Sequence, residues 1–174
     1  MSAEGVRILR NWALSLDVDD VLRGQGSDPA AIRARRPRLL TIAEWALAEG
    51  QPLVEPVVIY RRLPVESFRH RRLYLAGGHT LSGELIARHL ASAQEVIVLI
   101  CSVGRALEGH ASRVIAASAV RGLALDGLGS AAAEALATEA CRYFERMAVG
   151  QNLAITIDRK STSELQSRFD LVCR

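Results

Sequence analysis

Glu95-Val96-Ile97-Val98-Leu99-Ile100-Cys101-Ser102-Val103-Gly104 is the stretch from which the fold can be read. It is apolar without a break from Val96 to Cys101. That length suits a strand rather than a helix, and the lack of alternation predicts a central strand covered on both faces. Gly104 stops it. Arg105 to Ala117 and Ala119 to Val149 then read as helix. The second of these holds Gly122, Gly127 and Gly129 beside a run of alanines. Each glycine costs helix propensity, about 1 kcal/mol against alanine. Close approach of another backbone, or of a ligand, would explain them.

Upstream, Asp17 is placed to cap a helix through Leu22, which Gly24 and Gly26 break. Asp28-Pro29 is a second start signal. Helical spacing runs from Pro29 to Ala48, with Pro37 kinking it or opening a new helix and Gly50 ending it. Val57 to Leu63 and Arg71 to Leu75 are β-rich, and Pro64-Val65-Glu66-Ser67 is the expected turn of an antiparallel pair. Gly77-Gly78 closes the second strand. Thr80 or Ser82 is expected to cap a helix to about Leu90, with Leu81, Leu85 and Ile86 inward. After Gly150 the alanines disappear, and a strand at Leu153 to Ile157 with a weakly ordered tail is expected.

The 174 residues are close to the size of one domain, and with 49% apolar residues they can build a sizeable core. The expectation is an α+β single domain, a twisted and mainly antiparallel sheet packed with helices. No apolar run reaches the roughly 18 residues of a membrane helix. The N-terminus lacks a basic-then-apolar signal, which points to a cytoplasmic protein. The three cysteines, Cys101, Cys141 and Cys173, have no paired spacing, so neither a disulfide framework nor a zinc site is suggested. Cys101 reads as a buried small hydrophobe.

The formal charge is +3, and every basic residue but Lys160 is arginine. Arginines cluster at Arg33, Arg35, Arg36 and Arg38, and again at Arg69, Arg71 and Arg72. Such clusters can hold phosphates, or simply form a solvated helix face and a charged strand end. No aromatic residues interleave them, which counts against single-strand binding, and a nucleic-acid partner is not expected. Dinucleotide, phosphate-loop, metalloprotease and hydrolase-elbow motifs are missing. His70, His79, His89 and His110 have no ligand-like spacing. The Gly77-Gly78-His79-Thr80 turn, read as a helix start, could offer N–H groups to an anion.

Two further segments belong together. Ser102-Val103-Gly104-Arg105-Ala106-Leu107-Glu108 is similar to a T-x-G-x-x-L-E turn. Leu125-Asp126-Gly127-Leu128-Gly129-Ser130-Ala131-Ala132-Ala133-Glu134 is similar to an L-D-x-x-G-S-A-A-x-E helix. Both resemble the activation (reactivation) domain of cobalamin-dependent methionine synthase. Asp20 to Gly26, Pro56 to Val65 and Leu81-Ser82-Gly83 fit the same order. The resemblance runs from about Leu14 to Gly150, so residues 1–150 are the expected core and 151–174 a divergent or truncated tail.

The resemblance implies a curved α+β fold that binds S-adenosylmethionine and presents it to cobalamin on a corrinoid protein or cobalamin-binding domain, with no catalytic residue assigned. Glu134 would face the ligand cleft, where a carboxylate can pair with the sulfonium or amino group. Gly104 and Glu108 come with the first motif, and Asp126 and Gly129 with the second. Asp126 is expected to cap a backbone group or hold an arginine, and Gly104 and Gly129 to permit tight turns or packing. The chain departs from the family after Gly150, where the Pro-Gly-Tyr type segment that wraps the ligand is missing. This leaves a second reading open, a scaffold or interaction protein, able to form a homo-oligomer, that keeps the fold without the ligand site.

Overall fold

The computed structural model describes residues 5–84, 89–151, 153, 155–161 and 167–173, with the backbone alone from 156 onward. It combines helices with a seven-stranded sheet whose register pairs are antiparallel, an α+β architecture. The chain gathers into two compact units. One comprises Met1–Leu9, Val58–Cys101 and Ala137–Arg174; the other comprises Arg10–Val57 and Ser102–Leu136.

The first unit carries the sheet. Its strands are β1 (Arg7–Leu9), β2 (Val57–Arg69), β3 (Arg72–Leu75), β4 (His79–Ser82), β5 (Glu95–Ser102), β6 (Ile155–Ser161) and β7 (Ser167–Cys173). Their order is β4-β3-β2-β5-β7-β6, with β1 paired to β2. The unbroken apolar run of β5 is explained by cover on both faces. Val96 and Val98 join Leu63, Leu73, Leu75 and Leu90 in one cluster. The alternate residues Ile97, Leu99 and Cys101 are buried as well, with Cys141 beside Cys101. Burial pushes the Cys101 thiol up to about 12, so it stays protonated and inert at neutral pH. Phe144, fully buried, stands edge-on to Tyr60 of β2 at 4.9 Å between ring centroids. A bidentate ion pair, Arg62 Nε to Glu95 Oε1 at 2.9 Å and Nη2 to Oε2 at 2.6 Å, ties β2 to the first residue of β5.

The second unit is helical. It contains α1 (Val18–Gly24), α2 (Pro29–Arg35), α3 (Arg38–Gly50), α4 (Ala106–Ala117) and the first part of α5 (Ala119–Val149), whose remainder belongs to the sheet unit. Asp17 caps α1 in a reciprocal box with Asp20, and Asp28 caps α2 ahead of Pro29. Arg33 of α2 pairs with Asp19 of α1, and its hydrogen bond holds the Asp19 carboxyl below the usual carboxylate range. Pro37 opens a new helix rather than kinking one. Val21, Leu22, Ala43, Ala46, Leu107, Ala124, Leu125 and Leu128 form the core.

Two glycines of α5, Gly122 and Gly127, are packing residues. A Cβ on Gly24 would stand inside the carbonyl group of Gly127, with the carbonyl carbon 2.9 Å away. A Cβ on Gly127 would meet the Val21 carbonyl oxygen at 2.8 Å, and one on Gly122 would meet Ile115 Cα at 2.6 Å. The α1 and α5 backbones therefore touch where neither helix has a side chain.

Three local expectations are corrected. The hairpin does not turn at Pro64 to Ser67. Strand β2 runs through that proline to Arg69, with a register shift between Val65 and Ser67. The Pro64 carbonyl still accepts from Ala76, and the next N–H, that of Val65, donates to the Gln94 carbonyl, so the strand survives the missing N–H of proline. The turn is His70-Arg71, at φ 50° and 64°. Thr80 and Ser82 lie in β4 rather than at a helix start; Leu85 and Ile86 fall outside the described residues. After Gly150 the strand expected at Leu153 to Ile157 is present as β6 from Ile155, and the expected tail holds a further strand, β7, which pairs with β6 and along β5 from Glu95↔Cys173 to Ile100↔Arg168.

Two consecutive left-handed residues make the pattern of a type I′ turn, which asparagine and glycine adopt at less cost than histidine and arginine. The double substitution His70→Asn, Arg71→Gly is expected to raise stability by about 1 kcal/mol. The urea midpoint checks this; an unchanged or lower midpoint contradicts it.

Candidate functional site

All five residues singled out by the motifs, Gly104, Glu108, Asp126, Gly129 and Glu134, belong to the helical unit. Strand β5 ends at Ser102, and the chain turns through Val103 and Gly104 into α4. Gly104 has φ +87°, a conformation costly for any residue with a Cβ. A Cβ there would also meet Glu55 Cβ at 2.8 Å. The turn is pinned from two sides: the Glu55 N–H donates to the Val103 carbonyl at 2.8 Å, and the Gly104 N–H donates to Ser102 Oγ at 3.3 Å. The reading of Gly104 as a tight-turn residue therefore holds.

Leu107, the third residue after Gly104, is buried with Leu125 and Leu128 of α5. The two motif segments, far apart in sequence, thus share one core. Gly129 faces Leu107, whose Cδ2 would lie 3.6 Å from an added Cβ, an ordinary contact. Gly129 is not required for tight packing; Gly127 is.

The carboxylates stand on the outer surface. Glu108 is exposed in the first turn of α4. Asp126 and Glu134 are exposed with Ser130 between them, a stripe at i, i+4, i+8 on α5. Asp126 neither caps a backbone group nor holds an arginine among the described residues, because its position on the solvent-facing stripe brings no donor to it. Glu55, which no motif marked, adds a fourth exposed carboxylate beside the Gly104 turn. Only a pairing across sequence could have found it, through the Glu55 to Val103 hydrogen bond.

No family model matches the chain, and no curated protein matches it. No helix among the described residues is long and apolar enough to cross a membrane. Nor does any group of three or more His, Cys, Asp or Glu among them gather as metal ligands would. The Gly77-Gly78 turn leads into β4, so it offers no helix N-terminus to an anion. His79 instead meets Arg61, Nη1 to Nε2 at 3.4 Å.

Proposed function

We propose that the chain is an S-adenosylmethionine- and corrinoid-linked module resembling the methionine synthase reactivation domain. In this reading it is a cytoplasmic protein that assists methyl transfer to a corrinoid protein, or reactivation of one. The observation that carries the reading is the shared core of the two motif segments, Leu107 packed with Leu125 and Leu128. The residue chemistry fits the ligand: a sulfonium and an ammonium are cations, and Glu55, Glu108, Asp126 and Glu134 are exposed carboxylates in one unit. When bound, S-adenosylmethionine supplies an electrophilic methyl group. The protein's share is to bind and orient it.

Calorimetric titration of the whole chain with S-adenosylmethionine tests this. Saturable binding is expected, weakened about tenfold or more by Glu134→Ala, the loss of one charge-assisted contact. No heat from folded protein would overturn the reading.

A second reading, an interaction scaffold, is favoured by one feature. Ile115, Val120 and Leu123 are 48%, 48% and 55% exposed where α4 meets α5. Three large apolar residues at one corner suit a protein contact. Light scattering of the whole chain separates a self-associating scaffold from a monomeric ligand binder.

A further inference from the structure

Strand β2 carries two consecutive arginines in different circumstances. Successive side chains of a strand point to opposite faces, so Arg61 and Arg62 diverge. Arg62 forks onto Glu95. Arg61 is half-buried too, yet its Nε is buried without a hydrogen-bond partner, the one buried side-chain donor so placed among the described residues. Its Nη1 meets Nε2 of His79 in β4 at 3.4 Å, a long contact whose direction depends on the ring's tautomer. No carboxylate pairs with Arg61 among the described residues.

The β3–β4 turn comes close to both groups. A Cβ on Gly77 would lie 3.7 Å from Arg61 Nη2, 3.5 Å from His79 Cδ2 and 3.7 Å from His79 Nε2. Gly77 and Gly78 are left-handed, at φ 83° and 76°, and are exposed together with His79. Glycine leaves open the space beside guanidinium and imidazole that a side chain would take up. The inner end of Arg61 is fixed in the fold, while the turn side of the pair faces water.

These features suit an anion. An oxyanion beside the turn can accept from the arginine fork, and from His79 Nε2 whenever that atom carries a hydrogen. Burial of Nε holds the fork in place before a ligand arrives, so less side-chain freedom is lost on binding. A tetrahedral phosphate fits better than a carboxylate. The fork alone occupies both oxygens of a carboxylate, whereas a phosphate keeps an oxygen for the histidine. A nucleic-acid backbone is a poor match, since it needs a track of cations and Arg62 is taken up by Glu95.

We propose that Arg61, His79 and the Gly77-Gly78 turn form a binding site for a single phosphate group, either the free ion or a small phosphomonoester. This is independent of the S-adenosylmethionine reading, because all four residues belong to the sheet unit and the motif residues to the helical one.

The test is titration of the whole chain with inorganic phosphate at constant pH and ionic strength, followed by the Gly77 and Gly78 amide signals in NMR spectra. Saturable shifts are expected, with a dissociation constant in the millimolar range. Arg61→Gln is expected to bind at least about tenfold more weakly, and His79→Ala about threefold. Arg71→Ser removes an exposed arginine from the same unit and is expected to stay within about twofold of wild type. If Arg61→Gln fails to fold by circular dichroism, His79→Ala, at an exposed residue, carries the test. Methyl phosphate is titrated in parallel: tighter binding by the ester assigns the group to a phosphomonoester, tighter binding by the free ion to inorganic phosphate, and either supports the site. An absence of saturable shifts overturns the proposal. So does an equal loss in Arg71→Ser, which would mean net charge alone, or acetate binding as tightly as phosphate.

Discussion

Gly24→Ala is expected to destabilise the protein by about 2 to 3 kcal/mol, and Gly127→Ala by a similar amount. Two effects oppose each other here. Alanine is the better helix former by about 1 kcal/mol. But the added methyl on Gly24 would overlap the Gly127 carbonyl, and the methyl on Gly127 would press on the Val21 carbonyl oxygen at 2.8 Å. These obstacles are backbone, which cannot rotate aside, so the clash wins and α1 must separate from α5. Gly129→Ala is the control. Its methyl meets Leu107 at an ordinary 3.6 Å, so propensity is unopposed and stability should rise by about 0.5 to 1 kcal/mol. Urea unfolding followed by circular dichroism compares the three. Equal effects at Gly127 and Gly129 would refute the contact.

Phe144→Ala is expected to cost about 3 to 5 kcal/mol. The side chain is fully buried, and it packs edge-on against Tyr60 at 4.9 Å and Tyr143 at 5.1 Å. Truncation removes both aromatic contacts and leaves a cavity beside the Tyr60 ring, which is held from β2. Against a typical total stability of about 5 to 15 kcal/mol, that is a large share. Val149→Ala on the same helix, at a residue 73% exposed, should change the midpoint hardly at all. A Phe144 variant with a wild-type midpoint would mean that this face of the sheet does not depend on the aromatic cluster.

Strong local signals in the sequence were legible. The apolar run of β5, the Asp17 and Asp28 caps and the length of α5 each follow from chemistry within a few residues. The need for close approach at Gly122 and Gly127 of α5 was legible too. Its partner was not, because Gly24 looks like a helix breaker until α1 is seen against α5. The hairpin turn escaped because its left-handed residues are histidine and arginine, while Pro64 mimics a turn within a strand. Of the two C-terminal strands β6 was expected, while β7 escaped because Ser167, Arg168 and Asp170 dilute its β pattern. At the candidate site the motif residues could be named, but not that their carboxylates face outward or that Glu55 joins them.

The order in which the chain visits its two units bears on how it can fold during synthesis. The helical unit begins with Arg10–Val57 and is complete only after Ser102–Leu136. The sheet unit begins earlier and is complete later still, since β7 pairs with β5 across the whole intervening α4 and α5. A ribosome therefore releases no finished unit before Leu136 has emerged. Until then β5, the most apolar strand, lacks the neighbour on one of its edges. Pairings between distant segments of this kind are slow to form. An unpaired strand edge in a nascent chain is a site for association with other chains. Binding of a chaperone to the nascent polypeptide should accordingly peak after Ser102 has emerged and decline once β7 is available.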